Sequence, residues 1–362
     1  MSRKNRRVIQ ILPTLSFGDA VGNDTLALKK VISEMGYVSE IYAERVDQRI
    51  PNGTAGILSE MKSPDKDDVI IYHKSTGTSI SFGLDKYDCH RMMIYHNITP
   101  PHFFEDYSHK AAELTSFGLE GLNYLKDKTE YCLADSEFNK QDLIDAGYRC
   151  RIDVRPILIP FDDYKKTPDS AVIKKYSDGY VNIVFVGRIA PNKKQEDIIK
   201  IFNFYKKNIN SRSRLILVGS YAGMESYFDR LKRYVNELEL DDVIFTGHTP
   251  FAEILAYYRC ADIFLCMSEH EGFCVPLVEA MFFDVPVVAY KSCAIPYTMN
   301  GSGAVTDTKD PAEVALLIDR ILKNDDLKEK IIRSQQERLK DFSYESIKEL
   351  FESQLNGFIG SF

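Results

Sequence analysis

Two glutamates eight residues apart are the side chains of this sequence whose type and spacing most directly suggest chemistry. Glu271 and Glu279 lie in the stretch 268–281, after a predicted strand, and Pro276 suits the first turn of a helix. Glu271 is therefore predicted in the loop before that helix, and Glu279 in its opening turn. Eight helical residues span about 12 Å, a distance that suits two sugar-like rings flanking a diphosphate. The alternative is two ordinary acidic residues favoured by the helix dipole.

The residues between the two glutamates predict an anion site. The backbone amides of Gly272, Phe273 and Cys274 would point outward at the start of the same helix. Unpaired amides and the helix dipole together attract negative charge. Two carboxylates next to such a site are electrostatically unusual unless each accepts hydrogen bonds from hydroxyl groups.

A second motif is basic and follows an earlier strand. Gly187 and Arg188 come directly after the predicted strand 181–186, and Lys193 follows five residues later, just before a helix. A guanidinium and an ammonium at one strand end can neutralise a diphosphate and stabilise it as a leaving group. The alternative is a solvated basic turn. In open α/β sheets, ligands bind at the carboxyl ends of strands, which favours a common site for the basic and acidic motifs.

The elements that would position these residues alternate between strands and helices. Strands are predicted at 8–12, 38–43, 69–73, 91–95, 130–134, 152–158, 181–186, 215–218, 243–245, 263–265 and 285–288. Helical spacing of apolar residues follows several of them, as at 21–35 and 196–209. Strands separated by helices predict parallel βαβ units, and the whole pattern predicts two doubly wound α/β domains.

A proline-rich linker near residue 160 separates the two predicted domains. Pro156, Pro160 and Pro168 mark it, and the predicted domains are 1–164 and 165–342. Residues 343–362 read as a final helix that starts at Ser343, a good N-cap. That helix packs either on its own domain or back on the first one.

Composition excludes several protein classes. The 362 residues contain 46 basic and 53 acidic side chains, for a net charge of −7, which is the wrong sign for a non-specific nucleic-acid binder. No apolar run approaches the roughly 20 residues that span a bilayer, and the N-terminus lacks a signal peptide's apolar core. The seven cysteines form no C-x-x-C pair, which favours reduced thiols. We therefore expect a soluble cytoplasmic protein, whose oligomeric state the sequence leaves open.

Taken together, the motifs resemble the retaining glycosyltransferases of family 4, which have the GT-B fold. The resemblance is carried by Gly187, Arg188 and Lys193, then by Glu-Gly-Phe at 271–273, Glu-Ala-Met at 279–281 and Val-Pro-Val-Val at 285–288. The segment 134–138 is similar to the end of that family's first domain. The resemblance covers nearly the whole chain and implies two Rossmann-like domains facing each other across a deep cleft.

The resemblance also implies roles for the residues of the second domain. Arg188 and Lys193 would hold the donor diphosphate, with Gly187 beside them. Glu271 and the amides after it would hold the transferred hexose, and Glu279 would accept from the ribose hydroxyls. His248, in the loop 246–250, would lie near the base.

Two first-domain residues are candidates through the same resemblance. Gly18 would approach the phosphates, although the chain has Gly18-Asp19-Ala20-Val21-Gly22 where the family often has a longer double-glycine element. His96 follows a strand and precedes Pro100 and Pro101, and it matches the position from which the family contacts the transferred sugar. A histidine at a strand end is otherwise most often structural, which is also the interpretation of the other histidines apart from His248.

No metal site is predicted. The histidines and acidic residues show no metal-ligand spacing, Asp67-Asp68 has the character of a strand start, and the D-x-D motif of other glycosyltransferases is not evident. We therefore expect no cofactor and no metal, with a nucleoside-diphosphate sugar as donor substrate.

The expected function is transfer of a hexose, mannose or glucose, from a UDP or GDP sugar to a carbohydrate or lipid-linked acceptor, with retained configuration. The basic segment 2–7 would allow peripheral contact with anionic lipid, or is simply solvated. A glycoside hydrolase also uses two carboxylates but needs no phosphate clamp. A dinucleotide-dependent oxidoreductase would need G-x-G-x-x-G after its first strand, which is absent. The alternative from another class is an inactive GT-B subunit that binds a glycan or a partner protein.

Overall fold

The computed structural model describes residues 6–16 and 18–362, and the chain divides into two units. Unit 1 contains the residues up to Pro101 together with Glu113–Pro160 and Asp341–Phe362, and unit 2 contains His102–Ala112 and Phe161–Lys340. Of the predicted basic segment, residues 2–5 lie outside the described part. Arg7 begins the first strand, and its guanidinium pairs with Glu40 at 2.8 Å.

Unit 1 is built on a parallel sheet. Its strands are β1 (Arg7–Leu15), β2 (Val38–Val46), β3 (Gly56–Ile57), β4 (Val69–Lys74), β5 (His90–Tyr95), β6 (Tyr131–Ala134) and β7 (Arg151–Val154). They lie in the order β3-β2-β1-β4-β5-β6-β7, and every neighbouring pair is parallel. The order reverses direction between β1 and β4, which is the switch point of a doubly wound sheet.

The helices of unit 1 begin at side-chain caps that the sequence supplies. They are α1 (Ala20–Glu34), α2 (His109–Leu125, which starts in unit 2), α3 (Glu137–Asp145) and, at the end of the chain, α13 (Tyr344–Ile359). Asp19, Ser136 and Ser343 accept hydrogen bonds from backbone amides in the first turns of α1, α3 and α13. Each cap satisfies a donor that the helix leaves unpaired.

Helix α13 is part of the core of unit 1. Its buried face shares one apolar cluster with strand and helix residues from the beginning of the chain, among them Val8, Leu28 and Val69; the residues that α13 contributes are Ile347, Phe351, Leu355, Phe358 and Ile359. The Gln354 amide also donates to the Val154 carbonyl at 3.1 Å. The last segment of the chain therefore closes the first unit rather than the second.

Unit 2 repeats the same architecture. Its strands are β8 (Val181–Val186), β9 (Ser213–Val218), β10 (Val243–Gly247), β11 (Ile263–Cys266), β12 (Val287–Tyr290) and β13 (Ala304–Thr306), in the parallel order β10-β9-β8-β11-β12-β13. The switch point lies between β8 and β11. The helices are α4 (Phe161–Tyr164), α5 (Ser170–Tyr176), α6 (Gln195–Asn208), α7 (Glu225–Glu237), α8 (Phe251–Cys260), α9 (Val275–Phe282), α10 (Ile295–Met299), α11 (Pro311–Lys323) and α12 (Asp325–Leu339).

The prediction of two parallel α/β units is confirmed, and every predicted strand is present at least in part. The strand predicted at 152–158 ends at Val154. The next side chain, Arg155, forms a buried ion pair with Asp24, and Pro156 has no amide proton to donate to a neighbouring strand. The strand predicted at 285–288 begins only at Val287. Strands β3 and β13, of two and three residues, were not predicted because they are too short to show alternation.

We predict that Phe351→Ala destabilises unit 1. Phe351 is completely buried in the cluster that joins α13 to the sheet, and truncating such a side chain costs about 3–5 kcal/mol. Leu350→Ala is the matched control, because the adjacent side chain is 38% exposed and its loss costs about 0.5 kcal/mol or less. Urea unfolding of both variants measures the difference. Equal destabilisation would show that α13 does not hold the unit together.

Candidate functional site

The loops that follow β8 and β11 are joined by two hydrogen bonds, one between backbone groups and one donated by a side chain. These two strands are parallel neighbours, so their carboxyl ends lie at the same edge of the sheet. The Glu269 amide donates to the Asn192 carbonyl at 2.9 Å, and the buried Asn192 side chain donates to the His270 carbonyl at 3.1 Å. Asn192 was not among the predicted site residues, because nothing in the sequence marks it as a bridge. This connection positions the basic and the acidic motif side by side.

Lys193 and Glu271 form an ion pair across that connection. The Lys193 ammonium donates to Glu271 Oε2 at 2.6 Å, and the carboxylate side chain is 8% exposed against 21% for the lysine. Burial alone would lower the pKa of Lys193, but the Glu271 carboxylate outweighs it, so the pKa is raised and the ammonium stays charged. The structure therefore brings together one predicted phosphate ligand and the predicted hexose ligand.

Arg188 lies on the other side of the β8 end, towards the loop after β9. Its Nη2 donates to the Ala222 carbonyl at 2.9 Å, and the side chain is exposed. Gly187 and Gly219 meet here: a Cβ on Gly219 would lie 2.0 Å from the Gly187 carbonyl oxygen. Only glycine fits at residue 219, so this edge presents bare backbone beside a guanidinium. Gly219 is a further residue that the sequence reasoning missed.

Glu279 is placed differently from the prediction. Helix α9 starts at Val275 with Pro276 in its first turn, as predicted, but Glu279 is the fifth helical residue and lies in the second turn rather than the opening one. Its two oxygens accept from Tyr164 at 2.8 Å and Tyr258 at 2.6 Å. Burial raises the pKa of Glu279, while the two phenol hydrogen bonds oppose that rise. The hydroxyl donors that the carboxylate requires are thus supplied by tyrosines of unit 2, and each oxygen keeps a second lone pair.

The loop before α9 has a strained residue at its end. Cys274 is the N-cap of α9 with φ 70°, in the left-handed region that favours glycine, and no side chain caps the helix. Phe273 and Cys274 are buried, and the Thr298 hydroxyl donates to the Phe273 carbonyl at 2.5 Å. Anion binding by the amides of Gly272, Phe273 and Cys274 stays a prediction.

The predicted base loop follows β10. His248 is exposed at its tip, and the loop is held by a 2.7 Å hydrogen bond between the hydroxyls of Thr246 and Thr249. Gly219 donates its amide to Thr246 at 3.3 Å. The ends of β9 and β10 are therefore linked, and His248 lies in a turn that these hydrogen bonds hold in place.

Gly18 belongs to unit 1 and offers only backbone. It has φ 80°, and a Cβ there would meet nothing within 4 Å, so the conformation rather than crowding requires glycine. The neighbouring Asp19 accepts from the Gly22 amide at 2.5 Å. The Asp19 carboxylate therefore already lies at the N-terminus of α1, where the helix dipole would otherwise attract a phosphate. Phosphate contact by Gly18 stays a prediction.

His96 is enclosed within unit 1. Its side chain is 1% exposed, Nδ1 lies 2.8 Å from Asp135 Oδ2, and Nε2 lies 2.9 Å from His73 Nδ1. Both ring nitrogens are thus occupied, so a direct hydrogen bond from this ring to a sugar requires one of these contacts to break. Contact between His96 and the transferred sugar stays a prediction. His73 was predicted to be structural, and Asp135 was noted only as part of the segment 134–138, without a role of its own.

The hydrogen-bond directions settle where the protons lie in this cluster. The Gln10 amide nitrogen donates to the Thr25 carbonyl at 3.0 Å, so Gln10 Oε1 must accept from His73 Nε2 at 2.9 Å. A neutral His73 then accepts at Nδ1, which makes His96 Nε2 a donor. The remaining proton lies between His96 Nδ1 and Asp135. Burial would lower the pKa of His96, but Asp135 outweighs it and raises the pKa.

Two groups of side chains in the described residues have ligand atoms close enough to hold a metal ion. One comprises Asp24, His73 and His96, and the other Cys266, Glu271 and Cys274; within each group the atoms lie within 4.8 Å of one another. The first group is already hydrogen-bonded internally, and Asp24 pairs with Arg155 at 2.7 Å. The expectation that the reaction needs no metal stays a prediction.

Comparison with known proteins defines the class of fold. The chain superposes on sucrose-phosphate synthase from Thermosynechococcus elongatus with a TM-score of 0.76 at 15% identity, covering 99% of this chain and 100% of that one. It also superposes on the Anabaena protein Alr3699/HepE in complex with UDP-glucose, with a TM-score of 0.74 at 17% identity, covering 97% and 99%. Together with the two parallel sheets, these likenesses confirm the GT-B fold.

The family comparison concerns unit 2. Residues 168–338, just under half of the chain, match the family described as glycosyl transferases group 1. The O-antigen chain mannosyltransferase B of Escherichia coli is 26% identical over 235 residues, which cover 63% of this chain and 60% of that protein. Across this relative and two further curated ones, the chain spans between 33% and 60% of their length. The family match is confined to unit 2, and the superpositions show the fold.

Among the described residues, no helix has both the length and the apolar character needed to cross a membrane. All seven cysteines lie within the described part and are thiols rather than members of disulfides.

We predict that Asp135→Asn lowers the pKa of His96. The aspartate supplies the charge and the hydrogen bond that raise it, and an amide supplies no charge. Because the folded pKa is raised, the stabilisation by this pair is present below the ordinary histidine pKa of about 6.5 and is lost as pH rises through the raised value. An NMR titration of the ring measures the change. Glu120→Gln, an exposed charge change on α2, is the control, and an unaltered His96 titration in Asp135→Asn would contradict the assignment.

Proposed function

We propose that this protein is a retaining glycosyltransferase that moves a hexose from a nucleoside-diphosphate sugar to an acceptor hydroxyl. The single observation that carries the proposal is the Lys193–Glu271 ion pair at the carboxyl ends of β8 and β11. It lies at the switch point of a doubly wound sheet, inside the segment that matches the glycosyl transferases group 1 family.

The contacts of the described residues support a proposed role for each charged group. Lys193 has three ammonium donors, one of which is used by Glu271, so it can hold a phosphate without leaving its carboxylate. Arg188 uses one of its five N–H donors on the Ala222 carbonyl, and its guanidinium lies near the backbone of the neighbouring glycines. Glu271 serves as counter-ion before the donor binds and as acceptor for hexose hydroxyls afterwards. Glu279, oriented by two tyrosines, accepts from the ribose.

The proposed reaction needs no protein nucleophile. The bond between the hexose anomeric carbon and the phosphate oxygen breaks, the acceptor oxygen attacks that carbon from the same face, and the acceptor proton moves to the departing phosphate oxygen. Lys193 and Arg188 stabilise the negative charge that develops on the diphosphate. Holding both substrates in the reactive geometry supplies the remaining acceleration. The predicted contacts of Gly18 and His96 with the donor belong to this proposal as well.

Mannose and glucose are the favoured hexoses. One relative is named as a mannosyltransferase, and one structural neighbour was solved with UDP-glucose. We propose a carbohydrate or lipid-linked acceptor in polysaccharide or glycoconjugate synthesis, at a cytoplasmic location. GDP and UDP are both proposed as donor nucleotides, because base contacts in such folds are largely made by backbone groups.

A second candidate is an inactive GT-B subunit that binds a glycan or a partner protein. The observation in its favour is that both carboxylates already have protein partners, Lys193 on Glu271 and the tyrosines on Glu279. The two candidates differ in turnover: an inactive subunit can bind nucleotide but releases none from a nucleotide sugar.

We predict that one of the two diphosphates, UDP or GDP, stabilises the protein against heat. A ligand at 100 times its dissociation constant adds about 2.7 kcal/mol to the folded state, so the melting temperature rises with the matching nucleotide and its sugar. A thermal-shift screen with UDP, GDP, UDP-glucose and GDP-mannose measures this. Adenosine diphosphate serves as control, and the absence of any shift with the whole set would contradict a nucleotide-sugar site.

We predict that Lys193→Met reduces transfer by roughly 100- to 1000-fold, the usual cost of removing one electrostatic contact to the transition state. Lys200→Met is the matched control: it removes the same charge from the same unit, at a side chain that is 45% exposed and pairs with Asp197. Nucleotide release and product formation measure the effect, with circular dichroism to confirm folding. Near-full activity in a folded Lys193→Met variant would refute the role.

A further inference from the structure

The thiols of Cys266 and Cys274 lie close to the Glu271 carboxylate of the Lys193–Glu271 ion pair. Cys266 ends strand β11 and is fully buried, and Cys274 caps helix α9, so the loop that carries Glu271 runs between them. The interaction between the two thiols lowers the pKa of Cys266 and raises that of Cys274. With Glu271, they present two sulfurs and a carboxylate oxygen that all lie within 4.8 Å of one another.

Cys274 has a backbone conformation that favours glycine. Its φ of 70° strains any residue with a Cβ. The strain places a sulfur against Cys266 and Glu271, where glycine would leave none. None of the roles proposed above for this loop uses either sulfur, since the donor would contact the Cys274 amide and not its thiol.

We propose that Cys266, Cys274 and Glu271 form a binding site for a thiophilic divalent cation such as Zn²⁺, and that the bound cation blocks the donor site. Two thiolates and a carboxylate with one water are a tetrahedral ligand set of the kind Zn²⁺ accepts. Metal–ligand bonds of about 2.0–2.3 Å place the ligand atoms about 3.5–3.8 Å apart. Since the ligand atoms lie within 4.8 Å of one another, no pair has to close by more than about 1.3 Å.

Binding of the cation releases the two thiol protons to solvent, and the charges then balance locally. The two thiolates and Glu271 offset both the cation and the Lys193 ammonium, which is 2.6 Å from the carboxylate. Because protons are displaced, the affinity for the cation rises with pH. The carboxylate that would hold the hexose becomes a metal ligand, and this inhibitory consequence rests on the proposed function.

The other group of potential ligands does not compete. Asp24, His73 and His96 are already committed to hydrogen bonds within unit 1, and the Arg155 guanidinium beside Asp24 repels a cation. A second thiol pair does exist in unit 1, where Cys132 and Cys150 lie 3.6 Å apart. No carboxylate accompanies that pair among the metal-binding groups of the described residues. It therefore provides a matched control.

The test is titration of the full chain, kept reduced, with Co²⁺ alone as a spectroscopic substitute for Zn²⁺. We expect thiolate-to-cobalt charge-transfer absorption together with the visible bands of tetrahedral Co²⁺, both removed by added Zn²⁺. Cys266→Ala should weaken Co²⁺ binding by more than about 100-fold, beyond what the loss of an outer-shell partner costs. Cys150→Ala should leave the spectrum unchanged. No thiolate absorption, its survival in Cys266→Ala, or its loss in Cys150→Ala would overturn the proposal.

Cys274→Gly guards against misfolding as an explanation. Glycine is favoured at this φ, so the variant should fold at least as well as the parent while losing the Co²⁺ signature. A folded Cys274→Gly protein that retains the full signature would also overturn the proposal.

Activity distinguishes the metal site from the proposed function. Zn²⁺ should abolish nucleotide release by the parent chain and spare Cys266→Ala, because Cys266 has no role in donor binding. If Co²⁺ binds as expected but no nucleotide sugar is turned over by either protein, the proposed function fails while the metal site stands. If transfer occurs but Zn²⁺ inhibits both proteins equally, the inhibitory site fails while the function stands.

Discussion

The ion pair between Lys193 and Glu271 is the contact on which the candidate site depends. Both groups are largely removed from water, and a buried charge without its partner costs several kcal/mol. The two residues are 78 positions apart in the chain and meet because hydrogen bonds of the Asn192 backbone and side chain join the loops after β8 and β11. A phosphate that binds Lys193 and a hexose that binds Glu271 would therefore interact with charges that also stabilise the fold.

Strand order explains why the polar groups of each unit gather where they do. In unit 2 the order changes direction between β8 and β11, and the basic and acidic motifs follow these two strands. In unit 1 the ends of β4, β5 and β6 carry His73, His96 and Asp135, but these groups satisfy one another. The same architecture thus carries a charged, partly accessible ion pair, Lys193–Glu271, in unit 2. In unit 1 it carries a buried hydrogen-bonded chain of His73, His96 and Asp135.

The sequence was sufficient for the elements and for the motif residues, and insufficient for the contacts among them. A nearly continuous apolar run located β8 at residues 181–186, and the residue type and position of Ser343 marked it as a helix cap, because both features depend on local sequence. Tyr164 and Tyr258 were missed as partners of Glu279, since a tyrosine that packs in a core and one that donates to a carboxylate look alike in sequence. His96 was predicted to face substrate, and only three-dimensional packing against His73 and Asp135 reveals that its nitrogens are occupied.

A double-mutant cycle on nucleotide binding tests the central contact most directly. The four proteins are the parent chain, Lys193→Met, Glu271→Gln and the double variant, and calorimetry measures their affinity for the diphosphate identified as the ligand. If the ion pair joins phosphate binding to hexose binding, Glu271→Gln tightens the diphosphate alone by freeing Lys193, and this gain disappears in the Lys193→Met background, with a coupling of about 1 kcal/mol or more. Effects that add within about 0.5 kcal/mol would show that the two residues act independently, and would contradict the site described here.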